Sequence, residues 1–289
     1  MRELVIISGK GGTGKTVLTA SFAALAKNAV FADCDVDAAD LHLLLKPEIK
    51  QRHEFRSGKT ARIDRRLCQE CGKCILACRF NAINQDFTID SIACEGCAVC
   101  SHICPVNAIT MQENLCGEWF ISESKYGFLV HAKLGIAQEN SGKLVTLVKQ
   151  QAKKISEEQN RNCLIVDGPP GIGCPVIASL AGADLALIVT EPTLSGIHDM
   201  KRIADVARHF GISTKTIINK YDINLKNSLD IKEICRGRNI EVLAELPFSE
   251  QVSKSLVNAM PVVEYSNTKI TKEIVRLWKK IQLFIQNKS

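Results

Sequence analysis

A strand, a tight turn and a helix are forced on the first 27 residues by the run Gly9-Lys10-Gly11-Gly12-Thr13-Gly14-Lys15-Thr16. The apolar stretch Leu4 to Ile7 ends just before it, and a helical pattern over Lys15 to Lys27 begins inside it. Glycines in such a turn let backbone N–H groups point inward around phosphate oxygens, and the helix N-terminus adds its positive dipole end. Lys15 is then placed to neutralise β- and γ-phosphate charge, and Thr16 to ligate Mg2+. Two other Gly-Lys pairs fail the same test. At Ser57-Gly58-Lys59-Thr60, His53 stands where the first glycine belongs, and after Ser141-Gly142-Lys143, Leu144 stands where Ser or Thr belongs.

Further short apolar runs, at Ala29 to Ala32, Cys163 to Val166, Leu185 to Val189 and Thr216 to Ile218, mostly end in Gly, Asp, Thr or Asn. Helical patterns lie among them at Gly142 to Glu158, Ile197 to Phe210 and Ile270 to Ile285. The alternation predicts an α/β fold, a mostly parallel sheet with helices on both faces and ligands at the C-terminal strand ends. A foreign segment interrupts it. From Lys46 to Arg66 there are eight Lys/Arg against three Asp/Glu, and then an internal repeat begins. Cys68, Cys71, Cys74, Cys78, Asn81, Ala82 and Ile83 recur 26 residues later as Cys94, Cys97, Cys100, Cys104, Asn107, Ala108 and Ile109.

At 289 residues the chain suits roughly two domains, or one large α/β domain carrying an insertion. Hydrophobic residues at 46% and only 8 prolines exclude a disordered or fibrous chain, and no stretch of 18 apolar residues offers a membrane span. The start, Met1-Arg2-Glu3-Leu4, lacks a signal-peptide layout, so a cytoplasmic location is expected. In a reducing compartment the 13 cysteines argue for metal ligation over disulfides. The formal charge of +6 counts thiols as neutral; two thiolate-bound 4Fe–4S clusters, at about two negative charges each, bring it to about +2. No nucleic-acid partner is expected from charge.

Asp33-Cys34-Asp35 follows the second strand, and Asp167-Gly168-Pro169-Pro170-Gly171 follows the strand Cys163 to Val166, both at the end where phosphates would sit. Phosphoryl transfer needs a carboxylate near Mg2+ and a group that orients the attacking water; simple helix capping is the plainer role for such acids. Asn219-Lys220-Tyr221-Asp222 follows another strand and looks like the base-reading Asn-Lys-x-Asp of GTPases.

With Lys10 in addition to Lys15, the loop resembles the deviant Walker A motif of MinD/ParA-type P-loop ATPases, a group that includes the nitrogenase iron protein. The resemblance covers most of the chain outside the insertion. It implies hydrolysis of ATP to ADP and phosphate, slow and partner-stimulated. ATP and Mg2+ would be held by Gly11, Gly12, Thr13, Gly14, Lys15 and Thr16. Lys10 would reach across a nucleotide-sandwiched dimer, a homodimer or a heterodimer with a paralogue. Asp167 becomes the Walker B and switch II residue and Asp35 the switch I residue beside the water, with Asp33 and Asp37 as further candidates; Asn219 contacts adenine, which favours ATP over GTP.

The doubled Cys-x2-Cys-x2-Cys-x3-Cys spacing resembles bacterial two-cluster ferredoxins. It implies two [4Fe–4S] clusters, one on Cys68, Cys71, Cys74 and Cys104, the other on Cys94, Cys97, Cys100 and Cys78. Zinc sites usually space their Cys-x2-Cys pairs more widely. Arg79 replaces the proline expected after Cys78, and its charge is expected to raise that cluster's potential. The expected layout is an ATPase domain over 1–58 and 116–289 around a small α+β ferredoxin-like insert over 59–115. Cys174 lies seven residues after Asp167, where the nitrogenase iron protein has a bridging cluster ligand, but the stretch matching its other ligand, Asn140-Ser141-Gly142-Lys143, holds no cysteine. Cys174 and Cys116 are therefore expected to be inert, as are Cys34, Cys163 and Cys235. His102 and His198 are not expected to be ligands.

Ile274, Leu277, Trp278, Ile281, Phe284 and Ile285 form a helical stripe opposite Lys272, Arg276, Lys279 and Lys280. MinD uses a basic amphipathic tail on membranes; a last helix packed on the sheet has the same pattern and is the expectation here, with no membrane contact. The leading functional expectation is an ATPase that couples nucleotide state to electron transfer. Its alternatives are an iron–sulfur or metal-cofactor assembly carrier and a MinD-like positioning ATPase. The sequence names no redox or cofactor client.

Overall fold

The computed structural model describes residues 1–135 and 141–286. Its strands are β1 (Arg2–Ser8), β2 (Ala29–Asp33), β3 (Glu48–Ile63), β4 (Ile109–Ser124), β5 (Gly127–Leu134), β6 (Cys163–Pro170), β7 (Leu185–Thr190), β8 (Ser213–Asn219) and β9 (Glu241–Leu246). The helices are α1 (Lys15–Leu25), α2 (Leu41–Leu45), α3 (Lys73–Ala77), α4 (Val99–His102), α5 (Ser141–Glu158), α6 (Cys174–Leu180), α7 (Leu194–His209), α8 (Leu225–Gly237), α9 (Glu250–Val257), α10 (Val262–Tyr265) and α11 (Lys269–Gln286). Contacts divide the chain into two units. One comprises Met1–His53, Glu118–Leu134 and the chain from Ser141 onward; the other is Glu54–Gly117 together with Gly135.

The strands order as β3-β4-β5-β2-β6-β1-β7-β8-β9. β1 pairs in parallel with β6 and β7, β2 with β5 and β6, β7 with β8, and β8 with β9. All six residues of β7 and six of the seven in β1 are buried, as an inner parallel strand covered on both faces requires. The larger unit's core gathers Leu4, Ile6, Phe22, Phe31, Ile165 and Leu187 with the α11 residues Ile270, Ile274, Leu277, Trp278 and Ile281. The Phe22 and Trp278 rings pack in a tilted pair with centroids 5.2 Å apart. The α11 stripe is thus spent on the core, and no described helix is long and apolar enough to cross a membrane.

The expected strands and helices are present with ends shifted by a few residues, but the strands β3, β4, β5 and β9 and the helices α2, α3, α4, α6, α8, α9 and α10 were not anticipated. The basic segment from Lys46 contains β3, in which only Phe55 and Ala61 are buried. Its Lys and Arg side chains guard a sheet edge against pairing with other chains, a placement that hides the period-2 signal.

In the smaller unit the duplication reappears as duplicated geometry. Asn81 and Asn107 both adopt left-handed backbone, at φ 53° and 51°. Each donates its N–H to the carbonyl of the fourth cysteine of its own run, Cys78 or Cys104. Ala61, Cys74, Ile83 and Ile109 form the buried centre of this unit. Gly96, at φ +64°, lies so close to β3 that a Cβ there would fall 2.2 Å from the Lys59 carbonyl oxygen.

Candidate functional site

Parallel pairing of β1, β2 and β6 brings Ser8, Asp33 and Asp167 to one edge of the larger unit, with Asp33 directly opposite Asp167. The glycine-rich loop turns there and α1 begins at Lys15. Gly14, at φ +91°, leaves its space to Asn219, whose Nδ2 would lie 2.6 Å from a Cβ at that position. Asn219 donates from Nδ2 to the Thr13 carbonyl at 2.9 Å and accepts from the Lys220 N–H at 3.0 Å. It therefore ties the end of β8 to the phosphate loop.

Lys15 is buried, with Nζ 3.9 Å from Asp35 Oδ2. Asp167 is 1% exposed; Thr19 Oγ1 donates to its Oδ1 at 3.0 Å, while its buried Oδ2 has no protein partner, and neither does Thr13 Oγ1. Buried polar atoms left orphaned cost free energy. A hydrated Mg2+ held by Thr16 and Asp167 is a group that fits the free Asp167 oxygen. Burial raises the Asp33 and Asp167 carboxyls above their ordinary range, against the pull of Lys15 on Asp167. Asp35 is pushed up to about 6, by burial first, with Lys15 opposing. Asp33 is occupied otherwise: Oδ1 accepts from the Asp35 N–H and Oδ2 from the Leu41 N–H, which fastens the loop and the start of α2.

A cavity of about 730 Å3 opens above these groups, a size that suits a nucleotide. Of the expected site residues, Gly11, Gly12, Gly14, Lys15, Thr16, Asp35, Asp37 and Asn219 line it. Its far wall, Pro247, Phe248, Val252 and Leu256, was not anticipated; the apolar run that becomes β9, ending in Leu246-Pro247, was its signal. Asp222, the residue that made the sequence ambiguous between ATP and GTP, accepts from the Phe248 N–H at 2.7 Å. Lys10 stands apart from this lining. Its Nζ donates to Thr193 Oγ1 and Ser195 Oγ and lies 3.8 Å from Glu191, which also pairs with Lys220 at 2.6 Å.

Cys174 is exposed at the start of α6, and Gly142 packs against it: a Cβ on Gly142 would lie 3.4 Å from Cys174 Cβ. Asn140, in the stretch compared with a second ligand, lies outside the described residues. Burial raises the thiols of Cys34, Cys163 and Cys235, with Cys163 pushed up to about 12, which keeps them protonated and unreactive.

Within the smaller unit the eight repeated cysteines line two cavities. Cys68, Cys71, Cys74 and Cys104 line one, of about 20 Å3; Cys78, Cys94, Cys97 and Cys100 line the other, of about 290 Å3. None of the eight is in a disulfide. Among the described residues no three His, Cys, Asp or Glu side chains close tightly enough to hold a single ion. Cys116 is 2% exposed and donates its thiol to the Ser57 carbonyl.

Residues 4–262 match the family described as the CobQ/CobB/MinD/ParA nucleotide binding domain. The chain is 36% identical over 287 residues to an uncharacterized protein, MJ0578, of Methanocaldococcus jannaschii, covering 98% of this chain and 97% of that one. A second uncharacterized protein of that organism, MJ0579, is 28% identical over 96% of this chain and 98% of its own. Among solved structures, the cell division ATPase MinD of Pyrococcus furiosus has the same fold, with a TM-score of 0.60 at 17% identity over 98% of this chain and 99% of that one. The septum site-determining protein MinD of Pyrococcus horikoshii, complexed with Mg-ADP, gives 0.61 at 16% identity over 99% and 97%. The chain belongs to the CobQ/CobB/MinD/ParA nucleotide-binding family.

Proposed function

We propose that this protein is an ATP-driven switch whose nucleotide state governs electron transfer through two [4Fe–4S] clusters in an inserted ferredoxin-like unit. Backbone N–H groups of Gly11 to Lys15 cradle the phosphates of ATP, and the Lys15 ammonium offsets charge on the β and γ groups. Thr16 and Asp167 hold Mg2+. Asp35 orients the water that attacks the γ-phosphoryl group, with ADP as the leaving group. Lys10 leaves Thr193 and Glu191 to meet the nucleotide of a second copy, so assembly depends on ATP.

The observation that carries the electron-transfer reading is the sorting of the eight repeated cysteines, none in a disulfide, into two crossed sets of four, each around its own cavity. Each set supplies the donor type and number that a [4Fe–4S] cube takes. A cube spreads its four thiolates over four separate irons. When bound, such clusters take up and return single electrons. The test is anaerobic purification with iron and sulfide analysis, then redox titration with and without MgATP. Two clusters whose potentials shift on MgATP support the proposal; colourless, iron-free protein overturns the clusters, and identical potentials overturn the coupling.

A second reading, a positioning ATPase, is favoured by the likeness to a putative septum site-determining protein MinD of Mesostigma viride, 25% identical over 93% of this chain. ATP-dependent sedimentation with anionic liposomes would support it.

A further inference from the structure

The two copies of the cysteine repeat are not equivalent, and their differences fall on the cavity walls. Gln69 and Lys73 line the cavity of Cys68, Cys71, Cys74 and Cys104. Their counterparts 26 residues on, Glu95 and Val99, line the cavity of Cys78, Cys94, Cys97 and Cys100. Pro105 follows Cys104 in the first cavity, and Arg79 follows Cys78 in the second. The first cavity therefore carries one uncompensated cation. In the second, Glu95 and Arg79 offset each other, so the Arg79 charge does not by itself favour that site. A hydrogen bond adds to the asymmetry: the Ala108 N–H donates to Cys104 Sγ at 3.3 Å.

A cation or an N–H···S bond stabilises the reduced, more negative cluster and raises its potential, whereas a carboxylate lowers it. Solvent exposure is the competing influence. It differs little between the sites: each set has one exposed cysteine, Cys71 or Cys97, and only Cys74 of the first set, 8% exposed, is buried where its counterpart Cys100 is half-buried. Charge and hydrogen bonding decide, and both point the same way.

We infer that the cluster on Cys68, Cys71, Cys74 and Cys104 has the higher potential and is where an electron comes to rest, with Lys73 and Glu95 setting the difference. This rests on the cluster reading above. An electron given by an external low-potential donor then resides on the Lys73 side, the Glu95 side being reoxidised as the other is reduced. A unit charge at such range is expected to bias occupancy by about tenfold.

The test is a dithionite titration of the full-length iron-loaded protein, following each cluster by paramagnetic resonance. In the wild type two separate midpoints are expected. Lys73→Gln should move only the higher one down, and Glu95→Gln only the lower one up. Lys73→Arg should restore the wild-type value, which a merely structural role for Lys73 would not explain. Coincident midpoints in the wild type, or a Lys73→Gln protein with full iron and unmoved midpoints, would overturn the inference while leaving the cluster reading intact. Protein without iron would instead sink that reading.

Discussion

Lys10 donates from Nζ to Thr193 Oγ1 over 3.3 Å within its own chain. Together with Glu191 at 3.8 Å, this holds the ammonium group against the start of α7, aside from the nucleotide cavity. On the proposed reading Lys15, five residues on, serves the phosphates within the subunit and Lys10 acts between subunits. Lys10→Ala is expected to bind MgATP within about threefold of the wild type and to remain monomeric in sedimentation velocity runs where the wild type dimerises. An ATP-dependent dimer of the variant would show that Lys10 does not bridge copies.

Asp35 gives the site a pH dependence of known sign. Its carboxyl is raised to about 6, so near pH 6 about half of the nucleotide-free molecules carry a proton there, and the ionised form prevails above about pH 7. Function that needs the carboxylate is lost as pH falls through about 6. Binding of MgADP should expel that proton, and calorimetry in two buffers of different ionisation enthalpy reads it directly. Asp35→Asn is expected to release about half a proton less than the wild type near pH 6, with the gap closing by about pH 8. Equal release from both proteins at pH 6 would place the titration elsewhere.

Trp278 sits 5% exposed on α11, with its ring against Phe22. Removing so large a buried side chain should cost roughly 3–5 kcal/mol of stability, read as a lower urea midpoint by circular dichroism. A loss below about 1 kcal/mol would mean that α11 is only loosely held and free to serve as a detachable amphipathic tail.

The phosphate loop, the parallel strands and the long helices were legible because each carries a local signal: glycines between a strand and a helix, buried apolar runs, a stripe at helical spacing. What escaped the sequence depends on tertiary neighbours. β3 is an edge strand whose exposed faces erase alternation, and the Phe248 wall of the cavity comes from the far end of the chain. Asp33 and Asp35 look alike in sequence; only the fold shows that Asp33 is fastened to two backbone N–H groups while Asp35 faces Lys15.

Base preference follows from where Asp222 is engaged. In an Asn-Lys-x-Asp that reads guanine, the carboxylate must stay open to the base, but here it accepts from the Phe248 N–H at 2.7 Å and fixes the wall of the cavity. A carboxylate already satisfied would have to give up that bond to accept from guanine, at a net cost of about 0.5–1.5 kcal/mol for an exposed hydrogen bond. ATP is therefore expected to bind more tightly than GTP, by up to about tenfold. Asp222→Ala should weaken both nucleotides by a similar factor, because it loosens the shared wall. A variant that lost GTP binding alone, measured by competition against a fluorescent ATP analogue, would instead make Asp222 a reader of the base.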